Sequence, residues 1–468
     1  VKNLRGVLCF LSLFLLSQTL FCQAVSEVFS FSNANSSAGP LSEVPAQGRD
    51  GAIYGTTSGF GLSTTTDGAV FRIALVSRQF SALHEFTGTD GLYPESSLTL
   101  AGDGSYYGTT PDGGSTNTGV LFKISPNRTY TVLYEFSGGA DGGYPLAQPI
   151  LASDGNLYGT TGSDSDNSGV IYKYSLTTGT ISTIFTFSSD QSAGSLIQAP
   201  LLEASDGSLY GTAQSGGASG CGTIFQITKS GSLLQLYSFP CGAGGSLPSA
   251  ALIQTSDGNL YGTTEGGGVT TSQCTSGCGT IFEMSGGTVS VLYSFSGKQS
   301  DGRFPMASLV EGTDGNLYGT TTEGGPSNFG TLFQISKAGQ YKSLYAFATK
   351  FGRFPSAGLL QHTNGKFYGL AFNGGAYGEG TLYSLNMGLG PFIALVRYTG
   401  RIGQPIQILG QGLTGSTGVT INGVTANFKV VSNTYMMAVI PAGATSGPVA
   451  VTTPTGTLTS NHNLRIVQ

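Results

Sequence analysis

The 468-residue sequence has no tryptophan, only three histidines and six cysteines, and just 10% charged residues. Each shortage removes a class of function. His84, His362 and His462 stand far apart, without a Gly-x-Ser-x-Gly elbow or a metal-ligand partner nearby, so neither a hydrolase triad nor a zinc site is expected. No glycine-rich loop leads into a helix, which removes the usual phosphate cradle. Basic residues are few and dispersed, 20 against 25 acidic ones for a net charge of −5, so a nucleic-acid partner is not expected. Glycine does not recur at every third position, which excludes collagen. The 74 Gly and 18 Pro make up about a fifth of the chain, short of an aperiodic low-complexity composition. Hydrophobic residues at 39%, with 22 Tyr and 27 Phe, can supply a core. A turn-dense, all-β protein remains.

Long apolar runs are also scarce. The one present, Gly6 to Phe21, follows Lys2 and Arg5 and precedes Cys22-Gln23-Ala24, so residues 1–24 read as a secretory signal peptide. The run is short for a membrane span of about 20 residues, and Phe21 is bulky for the position before a lipidated cysteine. A secreted or cell-envelope location is expected, with no transmembrane segment in the mature chain. Cleavage leaves Cys221, Cys241, Cys274 and Cys278, an even set that predicts disulfides.

A Tyr-Gly motif recurs at Tyr54, Tyr107, Tyr158, Tyr210, Tyr261, Tyr318 and Tyr368, at intervals of 53, 51, 52, 51, 57 and 50 residues. A period near fifty matches one four-stranded propeller blade. Each period holds four strand-like segments: a proline-led apolar stretch (Phe304 to Val310), the Leu-Tyr-Gly-Thr-Thr run, Gly-Thr-Ile-Phe-x-Ile (Gly222 to Ile227) and Val/Leu-Leu-Tyr-x-Phe (Val291 to Phe295). Asp-Gly before most second strands (Asp103, Asp154, Asp206, Asp257, Asp314) supplies a tight hairpin turn. The last repeat stops after its third strand, Gly380 to Leu385, so Glu27 to Phe31 is expected to supply the missing fourth and close the ring. The reading is a seven-bladed β-propeller over residues 25–388. Cys221 and Cys278 share one repeat position, and this alignment favours Cys221 with Cys241 across a hairpin and Cys274 with Cys278 within an insertion.

Connections after second and fourth strands are the long, variable ones and should share a face, where function on a rigid ring usually resides. There Asp90, Asp141, Asp301, Arg303 and Arg353 are candidates for a polar binding rim that could engage a glycan or a protein; the alternative is plain surface charge. Asp164, Asp166 and Ser168 have the D-x-D-x-S spacing that begins a calcium loop, although no bidentate Glu follows; the alternative is a polar loop like Asp112 to Gly119. No other cofactor is expected.

The recurring Asp-Gly-Asn-Leu-Tyr-Gly-Thr-Thr, Gly-Gly and Gly-Thr-Ile-Phe units resemble the choice-of-anchor tandem repeat of the Gloeo/Verruco (GloVer) type over about residues 26 to 388. The resemblance implies a bacterial, exported, often surface-attached protein, and implies no activity or catalytic residues. Residues 389–468 carry four basic side chains and no acidic one, with short alternating segments that favour an immunoglobulin-like sandwich. Ile408 to Gly412, Val419 to Gly423 and Val439 to Gly447 resemble an IPT/TIG domain, which implies a spacer or adhesion module. The sequence thus points to an exported, non-enzymatic binding or surface-interaction protein. Its alternatives are a carbohydrate-active enzyme at the channel mouth, which needs two facing carboxylates, or a purely structural envelope component.

Overall fold

A computed structural model describes residues 24–32, 40, 44–59, 67–162, 169–188 and 190–467. The expected signal segment up to residue 23 and the calcium candidates Asp164, Asp166 and Ser168 lie outside them. Among the described residues the repeats form seven four-stranded antiparallel sheets. In the fifth sheet the strands are Ile253–Gln254, Leu260–Thr264, Thr280–Ser285 and Thr288–Ser294, in spatial order. The seventh is completed from the other end of the chain: Ala24–Ser30 pairs antiparallel with Thr381–Asn386. Ala24, placed at the end of the signal segment by its sequence, here belongs to the sheet.

Burial along each sheet follows position rather than simple alternation. Second strands such as Leu317–Thr321 are buried at every residue, because neighbouring sheets cover both faces, while outermost strands such as Tyr130–Glu135 are mostly half-buried. Apolar clusters tie successive sheets together. One joins Tyr318, Leu332 and Phe347 of the sixth to Phe367 and Leu385 of the seventh, and another joins Tyr368, Leu370 and Leu382 of the seventh to Ile53 and Phe71 of the first. The series therefore closes on itself into a propeller-like array, with its two-residue first strands around a common axis.

Two repeated devices explain the motif residues. The glycine of each Tyr-Gly pair lies opposite an aromatic residue of the third strand, as Gly319 opposite Phe333. A Cβ on Gly319 would sit 2.5 Å from the Phe333 Cζ, so the ring lies over the glycine and excludes any side chain there. The aspartate of the Asp-Gly turn accepts from the backbone N–H two residues on and, except at Asp103, which accepts from the Ser105 hydroxyl and Lys123 instead, from the motif tyrosine, as Asp314 does from Asn316 at 3.3 Å and from the Tyr318 hydroxyl at 2.8 Å. Asp154, Asp206 and Asp257 do the same for Tyr158, Tyr210 and Tyr261. These aspartates are turn-formers, and the structure adds their bond to the tyrosine.

A third device joins neighbouring sheets. Gln254 Oε1 accepts from the Ser205 N–H at 2.7 Å, Glu311 from Ser256 at 2.7 Å, Glu203 from Ser153 at 2.7 Å, Gln361 from Thr313 at 3.1 Å, and Gln47 from Thr363 at 3.0 Å. Each bond reaches from a first strand to the Asp-Gly or Asn-Gly turn of the preceding sheet, and the last one closes the ring.

The C-terminal unit has its own core, including Ile393, Ile408, Val419, Met436 and Val451. Two four-stranded sheets enclose it: one orders Ala394–Leu395, Pro405–Leu409, Tyr435–Val439 and Phe428–Ser432, the other Val424–Thr425, Gly418–Ile421, Val449–Thr453 and Gly456–Thr459. The unit does not hang free of the ring. The Arg49 guanidinium lies over the Tyr435 ring at 4.5 Å, Thr434 donates to the Arg49 carbonyl at 2.7 Å, Gln411 to Thr363 Oγ1 at 3.0 Å and Arg397 to the Ser153 carbonyl at 2.9 Å. All of these partners sit at the turns after first strands, so the unit covers that end of the axis.

Candidate functional site

The opposite end carries the long connections. They adjoin in space: the loop before a first strand bridges to the loop after the second strand of the same sheet, at Leu92 and Asp112, Ser246 and Gly266, and Arg353 and Asn373. In the sixth sheet the contact lengthens into a ladder between Gly302–Arg303 and Glu323–Gly324. Tyr93, Tyr144, Leu196, Leu247, Phe304 and Phe354 all adopt φ between 54° and 58° at one repeat position. That left-handed conformation, costly for a bulky side chain, turns the backbone so that its N–H meets the preceding sheet, as Tyr144 meets the Thr118 carbonyl at 2.9 Å and Phe304 the Cys278 carbonyl at 2.9 Å.

The rim candidates are placed at this end, but mostly as parts of its frame. Asp141 accepts from the Ser137 N–H at 2.9 Å, from the Ser137 hydroxyl and from the Tyr134 hydroxyl at 2.8 Å. Burial opposes its charge, but these bonds outweigh burial and hold its pKa below the usual value, while burial and Asp141 together push Tyr134 up to about 12. Asp301 repeats the arrangement with Ser296, Tyr293 and the Gly302 N–H, and is only 4% exposed. Asp90 does so with Thr87 and with His84, which occupies the tyrosine position and meets the carboxylate at 2.9 Å. Burial lowers the His84 pKa against the opposing pull of Asp90.

Arg303 is buried as well. It pairs with Glu323 at 2.7 Å and donates to the Gln273 carbonyl of the inserted loop, so it does share a face with that insertion. Arg353 is half-buried, its guanidinium over Phe329 at 5.6 Å. The three aspartates act mainly within their own loops, whereas Arg303 and Arg353 reach into neighbouring ones. Both disulfides, Cys221–Cys241 and Cys274–Cys278, are present, the first across a hairpin and the second within the insertion.

Sequence reasoning missed two carboxyls at this end. Glu95, after Pro94, has its pKa raised by burial and by the nearby Asp112. Glu265, directly after a second strand, is also raised by burial. Neither stands in a recognisable motif; Glu95 lies in the loop before a first strand and Glu265 in the loop after a second strand. Exposed apolar groups are the other missed feature: Tyr377 is 67% exposed and Val269 42%, both on loops after second strands, and Met306, after Pro305, is 39% exposed. Among the described residues no three His, Cys, Asp or Glu side chains come together as a metal set, and no helix is long and apolar enough to cross a membrane.

No curated protein matches the chain. Among solved structures, a fungal alcohol oxidase of the AA5 family in complex with copper is similar over 96% of this chain and 100% of its own, at 14% identity and a TM-score of 0.51. That likeness is one of fold alone. An oligogalacturonate lyase from Vibrio parahaemolyticus (10% identity, 77% and 93% covered, TM-score 0.47) and a periplasmic gluconolactonase from Pseudomonas aeruginosa (17%, 72% and 97%, 0.44) are also similar. The Gloeobacter/Verrucomicrobia repeat matches residues 18–203 and 198–432. With its signature covering most of the sequence and its motif residues building every sheet of the ring, the chain belongs to the Gloeobacter/Verrucomicrobia repeat family.

Proposed function

We propose that the protein is an exported, non-enzymatic binding scaffold. In this reading the sheets are the blades of a seven-bladed β-propeller, the C-terminal unit is an immunoglobulin-like domain of the IPT/TIG type seated on one end, and the loop-rich opposite end engages a glycan or a protein. The observation that carries it is the division of labour at that end. Charged groups such as Asp141, Asp301 and Arg303 are spent on holding loops, while Tyr377, Val269 and Met306 stand exposed among polar, glycine-rich neighbours. Aromatic and apolar anchors on a rigid frame favour contact over chemistry. The two disulfides agree with an oxidising, extracellular location.

A second reading, a carbohydrate-active enzyme, draws on Glu95: a carboxyl whose pKa is raised by burial and by the nearby Asp112 is the kind of group that serves as a general acid. One screen separates the two. The purified protein is presented to a glycan panel with binding and product release both measured. Binding without turnover, weakened by Tyr377→Ala, supports the scaffold; turnover abolished by Glu95→Gln overturns it in favour of the enzyme.

A further inference from the structure

Beneath the C-terminal unit, the first strands of the third to sixth sheets and segments 396–399 and 461–465 enclose a cavity of about 620 Å3, within the range of about 300–1,000 Å3 typical of small-molecule sites. Its wall is apolar, formed by the half-buried Ile150, Leu202, Ile253 and Val310. Its roof carries two rings, Tyr398 and His462, edge to face at 4.8 Å. Tyr398 keeps 46% of its surface accessible, yet burial pushes its hydroxyl pKa up. Tyr398 lines the cavity.

Charge in the lining is unevenly satisfied. Glu203 is held by Lys229 at 2.6 Å and Glu311 by Lys337 at 2.7 Å. The Arg397 and Arg465 guanidiniums instead reach only backbone carbonyls, of Ser153 at 2.9 Å and Ala204 at 3.4 Å, and among the described residues neither has a carboxylate partner. A second cavity of about 510 Å3 shares Leu151, Arg397 and Thr399 with the first and lies over the second and third sheets. The first strands of those two sheets carry Leu100 and Leu151 where the other five carry the Gln or Glu that ties neighbouring turns together. The chamber thus adjoins a second cavity over the two sheets whose first strands lack these latches.

We propose that this chamber binds a small ring compound bearing a carboxylate, admitted at the unlatched seam. The ring lies against Tyr398 and the apolar wall, and the carboxylate takes the free donors of Arg465 and Arg397. The site is distinct from the loop-rich end and does not depend on what that end binds.

The sequence has no tryptophan, so Tyr398→Trp in the full chain makes a single fluorescent reporter inside the chamber. Its emission is titrated with sodium glucuronate and sodium benzoate, and with glucose and benzyl alcohol as neutral counterparts. The expected result is a saturable change with at least one acid, weakened about tenfold or more when Arg465→Gln is added, and no change with the neutral compounds. A response to glucuronate alone assigns sugar acids; a response to benzoate alone assigns aromatic acids. Equal responses from acids and neutral counterparts, or an unchanged affinity in the Arg465→Gln background, overturn the proposal. Calorimetry with the same acids on the unsubstituted chain guards against damage from the tryptophan, and no heat of binding there overturns it as well.

Discussion

Gly319→Ala isolates the packing rule that repeats around the ring. An ideal Cβ at this position falls 2.5 Å from Phe333 Cζ and 2.9 Å from Leu309 Cδ2, against an optimal carbon separation of about 3.5–4.0 Å. The Phe333 ring must retreat by about 1 Å, but it is fully buried, with Phe295 edge-on at 5.4 Å and Tyr341 tilted against it at 5.7 Å. Overpacking of this kind costs about 1–3 kcal/mol. Gly319 lacks the positive φ that would penalise alanine, so the substitution also recovers about 0.5–1 kcal/mol of backbone entropy. The net expectation is a loss of roughly 1–2 kcal/mol. Phe333→Leu shortens the ring, and in that background Gly319→Ala should be neutral or stabilising. The assay is urea unfolding of the four proteins, followed by tyrosine fluorescence and compared at constant m-value. Equal stability of Gly319→Ala and the parent, or the same cost in both backgrounds, would refute the claim that the aromatic ring dictates the glycine.

Thr320 donates to the Ala357 carbonyl of the next sheet at 3.2 Å, whereas the equivalent Thr160 hydroxyl is buried without a partner among the described residues; Thr320→Val should therefore cost about 1 kcal/mol and Thr160→Val nothing or less, measured by unfolding midpoints. His362 accepts the Asn364 N–H at Nδ1 and so donates from Nε2 to the Gly51 carbonyl at the seam between the last and first sheets, and burial lowers its pKa to about 4. The unfolded chain then binds a proton near pH 6.5 that the folded one refuses until about pH 4, so up to about 3 kcal/mol should be lost as pH falls through that window. Urea midpoints from pH 7 to 4 should fall less steeply for His362→Gln; parallel slopes would refute the assignment. Replacing the Cys221–Cys241 bridge, with its separation of 20 residues, should cost about 3 kcal/mol by chain entropy, and the Cys274–Cys278 bridge, with a separation of 4, about 2 kcal/mol, read from the same unfolding curves.

The latch residues show where one-dimensional reading stops. Gln47, Glu203, Gln254, Glu311 and Gln361 recur at one repeat position, so the signal was in the sequence. Their partners, however, are backbone N–H groups in the preceding sheet, about fifty residues earlier or, for Gln47, at the other end of the ring, and a backbone donor leaves no mark on side-chain identity. Asp301 and Arg303 show the converse. Their charge invites a surface role, yet a serine pair of donors and Glu323 draw both inside, because a buried charge is tolerated once its hydrogen bonds are satisfied.

What the sequence determined by itself is whatever depends on short-range stereochemistry and on period: the strands, the Asp-Gly turns, the fifty-residue unit and the N-terminal strand needed to complete the seventh sheet; for the four cysteines it favoured one of three pairings, and the structure decided it. These follow from local backbone preference, from the two-residue alternation of strands and from counting. Only the tertiary structure decided that each motif glycine lies under an aromatic ring, that the C-terminal unit sits on the short-turn end, and that a chamber with two unpaired guanidiniums opens beneath it. The first of these is a matter of register between adjacent strands, which the repeated motif marks without pairing its members; the other two arise from contacts between residues hundreds of positions apart and from the loss of water around them, and leave no periodic trace along the chain.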